Sequence, residues 1–303
     1  MNRPVEHTFL GLDALEDGRT ARVAVIPVPY DGTSTWRKGA DTGPAALLEA
    51  STALELYDVE TGTEPWRAGI RTLPEVECPA EPEVMSERVR ETVAGVLDAG
   101  QLPVVLGGEH SVTIGAMAAA ADRYPDLTVL QIDAHADTRQ EYGGSAYNHA
   151  CVMARARERC PIIQVGIRSV EAEELPGLNP DRVFWAHEIV PAASDAWMDD
   201  VVSLLTPSVY VTIDLDAFDP SLLPATGTPE PGGLGWYPVN RLLRRVACAS
   251  RVVGFDVVEL LPQRGQHASA FAAAKLVYRF LAEIGSAPVS YTHLRAHETQ
   301  PVI

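Results

Sequence analysis

Several things are scarce in this sequence, and each scarcity removes a class of function. Basic residues are few: 24 Lys+Arg stand against 41 Asp+Glu, for a formal net charge of -17 and an isoelectric point near 4.8. Sequence-independent nucleic-acid binding needs Lys/Arg clusters, and an acidic surface is repelled by anionic lipid, so neither is expected as a partner. The four cysteines, Cys78, Cys151, Cys160 and Cys248, form no C-x-x-C pair and read as reduced thiols rather than a disulfide framework or a zinc site. Met1–Gly18 carries charges throughout and has no apolar secretory core. No run is long and apolar enough to span a membrane. A soluble cytoplasmic protein is the expectation.

The 303 residues are 46% hydrophobic, enough for one sizeable α/β core. Short β-rich runs alternate with helical patterns, which predicts a single-domain, three-layer αβα fold around a mostly parallel sheet. Strands are expected at Arg22–Pro27, Pro103–Leu106, Leu127–Ile132, Ile162–Val165, Arg182–Trp185, Val209–Leu215 and Arg251–Val257. Helices are expected at Glu83–Leu97, with Pro82 at its start, and at Val112–Arg123, Asp195–Leu205 and Val239–Ala249. A last helix follows Gln266; Phe271, Ala274, Tyr278 and Leu281 form its inward stripe and Gly285 its C-terminal cap. The run Val289–Thr299 matches the translation of a transposase-type sequencing adaptor. The domain is therefore expected to cover 1–288, with 289–303 a scar in which His293 and His297 carry no weight.

Chemistry concentrates at strand ends. Asp133, His135 and Asp137 follow the strand Leu127–Ile132 at i, i+2, i+4, which places them on one face of an extended segment. Two steps along a strand cover about 6.6 Å, so such side chains can converge on two ions about 3.5–4 Å apart. In Val209–Leu215, alternate apolar positions leave Asp214, and then Asp216, emerging together at a buried strand's carboxyl end, where open α/β sheets bind ligands. Asp219-Pro220 begins a turn, where the Asp is a cap. The strand Pro103–Leu106 runs into Gly107-Gly108-Glu109-His110-Ser111. There the glycine pair permits close backbone approach, Ser111 is expected to cap the next helix, and His110 joins the same edge. Four carboxylates (Asp133, Asp137, Asp214 and Asp216) in one crevice cannot all stay ionised unpaired. Two divalent cations balance them; a bridging hydroxide then leaves one negative charge, which a guanidinium neutralises. Oxygen-rich ligation with some imidazole favours Mn²⁺ over tetrahedral zinc.

These motifs, GGEHS (107–111), DAHAD (133–137), DLDAFDP (214–220), GTPEPGG (227–233) and GFDVVEL (254–260), resemble the ureohydrolase (arginase/agmatinase) family over Ala21 to Gly285. The resemblance implies an arginase-like fold and two Mn²⁺ per subunit held by His110, Asp133, His135, Asp137, Asp214 and Asp216, with Asp133 and Asp214 bridging. It implies that His149 is a proton shuttle and that Glu259 binds the guanidinium, for which a carboxylate is the natural partner. Read without the family, His149 is a loop histidine near the site and Glu259 a buried acid paired with an arginine. Asp256 is expected to be structural and Thr226–Gly233 a rigid wall. The implied reaction is hydrolysis: hydroxide oriented by Asp137 attacks the guanidinium carbon, His149 protonates the leaving amine, and urea departs.

GTPEPGGL and Asp137-Thr-Arg-Gln-Glu-Tyr142 look more like agmatinases, so agmatine is the first expected substrate, giving putrescine. Guanidinobutyrate and aminopropylagmatine are alternatives within the family. Arg139 either pairs with Glu141 or grips a substrate carboxylate, and the ion pair is favoured. A deacetylase on a related fold would want a tandem His pair, which is missing, and a non-catalytic metal-binding relative would have lost His149 or Glu259. The resemblance also implies a homo-oligomer, trimeric or hexameric.

Overall fold

Val/Ile/Leu-rich strands buried almost from end to end belong to parallel sheets covered on both faces, and this computed structural model has one. It describes residues 7–12 and 21–287, so the expected scar at 289–303 lies outside the described residues. The strands are β1 (Val23–Val28), β2 (Ile70–Thr72), β3 (Leu102–Gly107), β4 (Leu127–Ile132), β5 (Ile162–Ile167), β6 (Val183–Trp185), β7 (Ser208–Asp214) and β8 (Arg251–Val258). They form one sheet in the order β2-β1-β3-β8-β7-β4-β5-β6. Every neighbouring pair is parallel.

The helices are α1 (Gly43–Ser51), α2 (Pro82–Asp98), α3 (Val112–Arg123), α4 (Val152–Ala156), α5 (Ala186–Ile189), α6 (Ala196–Ser203), α7 (Trp236–Ala249) and α8 (Ala268–Ser286). Alternation along β1 divides the core between two layers. Val23 and Val25 pack with residues of α1, α6, α7 and α8, whereas Ala24, Ile26 and Val28 pack with α2, α3 and α4. No helix among the described residues is long and apolar enough to cross a membrane.

The expected strands and helices appear within a few residues of their predicted bounds; β2, α1 and the short α4 and α5 are additional. Two expectations about the last helix fail. Gly285 stays inside α8, which runs on to Ser286, because the core continues past Leu281 and no left-handed cap is required there. Phe271 is 43% exposed, since it lies in the first turn at the margin of the buried arc formed by Ala274, Val277, Tyr278 and Leu281.

Candidate metal and substrate site

Four adjacent central strands deliver the candidate residues. In sheet order, His110 follows β3, Glu259 follows β8, Asp214 and Asp216 end β7, and Asp133, His135 and Asp137 follow β4. All therefore gather at the carboxyl edge, where strand order departs from sequence order. The turn after β3 is tight enough that a Cβ on Gly108 would lie 2.0 Å from the carbonyl oxygen of Tyr30, which only glycine tolerates. Ser111 does not cap α3. Its hydroxyl and amide instead donate to the carboxylate of buried Glu109, a stronger acceptor two residues away.

The side chains converge closely. Nδ1 of His110 lies 2.9 Å from Asp137, 3.2 Å from Asp133 and 3.4 Å from Asp214. Nδ1 of His135 lies 2.9 Å from Asp216 and 3.7 Å from Asp133. Two candidate metal-holding groups result, His110–Asp133–Asp137 and Asp133–His135–Asp216, and they share Asp133. Nδ1 of His110 is buried and forms no aligned hydrogen bond with any of the three carboxylates around it. A buried nitrogen aimed between carboxylate oxygens is the donor arrangement a divalent cation accepts, and its chemistry fits the expected pair of ions. Asp137 reaches its place differently from the expectation. Its φ of 53° breaks the extended run, so a left-handed turn brings it under His110.

Residues behind the cluster orient it. Nε2 of His110 is 2.9 Å from the Thr212 hydroxyl, which donates to Asp256 at 2.6 Å; Tyr210 donates to the same carboxylate at 2.8 Å. With Nε2 carrying the proton, Nδ1 is left as the ligating atom. Asp256 is thus structural, as expected. Gln164 donates to Gln131, whose amide donates to Asp133 at 2.7 Å. Arg168 donates to the backbone oxygens of Asp216 and Glu230, both at 2.7 Å, and so ties β5 to Asp216 and to the 226–233 wall. Asp219 accepts from the amides of Ser221, Gly232 and Gly233 and caps that wall. Sequence reasoning missed Gln131, Gln164, Thr212 and Arg168. A polar residue inside an otherwise apolar strand was the available signal for the first three.

A cleft of about 220 Å³ opens over the cluster. His149 and Glu259 both line it, with Asp137, Thr228, Tyr142 and Trp36 among the other walls. Glu259 pairs with no arginine among the described residues; its carboxylate accepts the amide of His110 at 2.8 Å. Arg139 does not pair with Glu141. It lies 3.5 Å from Glu174 and 3.4 Å from Glu171, with its guanidinium 4.3 Å over the Tyr142 ring. Glu174 wins because it is buried and already fixed by the amide and hydroxyl of Thr138.

The electrostatics are those of a cluster short of positive charge. Burial, then Asp216 and Asp133, push Asp214 well above the usual carboxylate range. Burial and Asp133 push Asp137 up to about 6. Burial alone would lower His110 and His135, but the surrounding aspartates hold both well above an ordinary histidine. Protons on the histidines thus stand in for cations in the metal-free chain. Groups whose folded-state pKa is raised stabilise the fold below their unfolded value and lose that contribution as pH rises through the folded one. The metal-free protein is therefore expected to melt at a lower temperature at about pH 8 than at about pH 6, with Mn²⁺ affinity rising and protons released over the same window. Titration calorimetry in buffers of different ionisation enthalpy checks this; proton-neutral binding would contradict it.

A parallel α/β sheet here gathers aspartates and histidines beneath a cleft walled by carboxylates, a donor set suited to metal-assisted hydrolysis. The chain belongs to the arginase family, which it matches over residues 21–282. It is 40% identical over 284 residues to an N(1)-aminopropylagmatine ureohydrolase of Synechocystis, covering 90% of this chain and 92% of that one. It is 35% identical over 274 residues to an agmatinase of Pyrococcus horikoshii, covering 86% and 92%. Among solved structures, agmatine ureohydrolase of Thermoplasma volcanium superposes with a TM-score of 0.80 at 34% identity, over 88% of this chain and 90% of that chain.

Proposed function

We propose that this enzyme hydrolyses a guanidino-alkylamine to urea and an amine, with agmatine to putrescine as the first reading. One observation carries it: Glu259, half-buried and without a cationic partner among the described residues, faces the cleft beside the aspartate–histidine cluster. A carboxylate lining the cleft in that position suits a cation with several N–H donors, which a guanidinium supplies.

His110, Asp133, His135, Asp137, Asp214 and Asp216 would hold two divalent ions, Mn²⁺ by their oxygen-rich donors. When bound, such ions offset the carboxylates and lower the pKa of water. Glu259 binds and orients the guanidinium. Asp137 accepts a hydrogen bond from the attacking water, and the left-handed turn at this residue sets its carboxylate at the cleft floor. His149 gives a proton to the amine nitrogen as its bond to the guanidinium carbon breaks. Polyamine synthesis, a cytoplasmic location and a trimer or hexamer complete the reading, the assembly being open to sedimentation.

The outer wall supports an amine tail over a carboxylate tail. Arg139 is engaged by Glu174 and Glu171, while Arg37 sits at the mouth on the face of Trp36. Aminopropylagmatine is the second reading, favoured by the Synechocystis relative and by exposed Trp36 and Glu171 at the open end, which leave room for a longer cation. Urea release from agmatine, aminopropylagmatine, arginine and guanidinobutyrate separates these. The amines are expected to exceed guanidinobutyrate in kcat/KM by at least about 10²-fold, the cost of setting like charges together. Preference for guanidinobutyrate would overturn the amine-tail reading. Metal binding without urea release from any of the four would favour a non-catalytic metal-binding protein.

A further inference from the structure

His149 stands on a loop that folds back on itself. Between β4 and α4 the chain turns at Tyr142-Gly143-Gly144-Ser145, where Tyr142 and Ser145 exchange both backbone hydrogen bonds, at 3.0 and 3.2 Å. Gly143 and Gly144 have φ of 60° and 86°, the left-handed pair that a two-residue turn demands. The Arg139 amide donates to the carbonyl of Ala150 at 3.1 Å and closes the loop at its base. Tyr142 is thereby brought against His149: the ring centroids lie 6.1 Å apart with their planes at 89°, an edge-to-face contact. On the same tyrosine ring rests the Arg139 guanidinium, 4.3 Å from the centroid and itself gripped by Glu174 and Glu171. Arg139, Tyr142, His149 and both glutamates line the cleft.

Glu174, Arg139 and Tyr142 thus form a row that ends on the imidazole of His149. Thr33, in the loop after β1, accepts the His149 amide at 3.0 Å through Oγ1, which lies 3.0 Å from Nδ1 as well. That contact fixes one corner of the ring and leaves its plane free to swing about the side-chain torsions. A perpendicular aromatic neighbour supplies the missing restraint, because leaving that plane costs the edge-to-face contact. The Tyr142 ring needs holding in turn, since it is half-buried on a loop at the cleft wall. Arg139 does this: a planar guanidinium stacks on an aromatic face in a way an ammonium does not. Its charge is offset by Glu171 and by Glu174, which the Thr138 amide and hydroxyl hold at 2.9 Å each. An arginine can therefore line a cleft that admits a cation. We propose that Tyr142 is a positioning residue that sets the plane of the His149 imidazole for proton transfer, and that Arg139, clamped by Glu174, holds Tyr142 in place. This assignment rests on the reading of His149 as the proton donor to the leaving amine.

A double-mutant cycle on the full chain tests this, with urea release from whichever of agmatine and aminopropylagmatine it turns over faster. Tyr142→Leu removes the ring and is expected to lower kcat roughly ten- to a hundredfold with KM little changed, the loss that a small misplacement of a reacting group brings. Tyr142→Phe keeps the ring and should stay within about threefold of the parent, since neither ring contact uses the hydroxyl. Arg139→Lys keeps the charge beside Glu174 but loses the flat face, and is expected to cost roughly three- to tenfold in kcat. In a His149→Asn chain none of these changes should lower turnover further by more than about twofold, because residues that act through one group are not additive. With diamagnetic Mg²⁺ bound, the ring-proton signals absent from His149→Asn belong to His149; they are expected to move in Tyr142→Leu and to stay in Tyr142→Phe. Should Tyr142→Leu fail to fold, as judged by its melting temperature and metal content, Arg139→Lys carries the same cycle. Parental kcat with unmoved His149 signals in the variant, or a loss as large without His149 as with it, would overturn the positioning role. Undiminished turnover in His149→Asn would instead overturn the proton-donor reading beneath it.

Discussion

Urea release by an Asp133→Asn chain is expected to fall by at least about 10³-fold, the loss that follows when roughly 4 kcal/mol of buried charge pairing disappears. Bound Mn²⁺ per chain is expected to drop with it. Asp133 is the residue common to both candidate metal-holding groups, so one change reaches both. Both of its oxygens already receive donors from the protein: Oδ1 takes the His135 amide at 2.7 Å and Oδ2 the Gln131 side chain at 2.7 Å. An asparagine must turn its NH₂ toward one of those donors. It therefore loses the charge and also disturbs either His135 or the Gln131–Gln164 chain behind it.

The metal-free variant still folds on this account. Asp133 is completely buried, and although its removal relieves repulsion on Asp137 and Asp214, it also takes away the counter-ion of His110 and His135, which hold its carboxyl well below the usual range. Its melting temperature without metal is therefore expected to fall below the parent's, by about 2–4 °C for each kcal/mol of pairing lost. Its melting temperature should also gain little when Mn²⁺ is added. Elemental analysis, thermal melts and urea release on one preparation test all three. An Asp133→Asn chain that keeps its metal and its turnover would remove the central ligand from the scheme.

Sequence periodicity reached the sheet and the residue types at its edge, because both are local. A buried strand announces itself in a run such as Leu127–Ile132, and a polar residue at its end in Asp133. The exact turn is less visible. Asp137 and Glu259 adopt φ of 53° and 66°, and neither is the glycine or asparagine that usually marks left-handed backbone. Alternation therefore predicted one extended face where the chain makes a bend. Arg139 shows the second limit: a neighbouring Glu141 is the obvious partner in one dimension, but buried Glu174, 35 residues away, is the partner in three. Ser111 shows a third, since a favourable cap residue was diverted by Glu109, whose need for donors follows from burial that no local pattern reveals. Thr33 stands 116 residues from His149, so its contact with that ring exists only once β1 and the turn after β4 share an edge.

Glu259→Gln is expected to reduce kcat/KM roughly 10²- to 10³-fold, in line with a buried charge–charge hydrogen bond worth about 2–5 kcal/mol. Glutamine keeps Oε1 available to the His110 amide, so the turn after β3 remains held and the change isolates the charge. Metal content should be unaltered. Stability should move the other way. Glu259 is held at positive φ, a strain of roughly 1–3 kcal/mol, and burial with neighbouring Glu109 pushes its carboxyl well above the usual range. A carboxyl raised in the folded state withdraws stability as pH rises from its unfolded value, near 4, through the folded one. The substitution abolishes that withdrawal, so the metal-free variant should melt above the metal-free parent at about pH 8 and close to it at about pH 4. More stability with less activity is the pattern of a residue kept for the substrate. If Glu259→Gln instead loses stability at about pH 8 and keeps its KM, the carboxylate is a structural acceptor for His110 and the guanidinium must be bound by another group in the cleft.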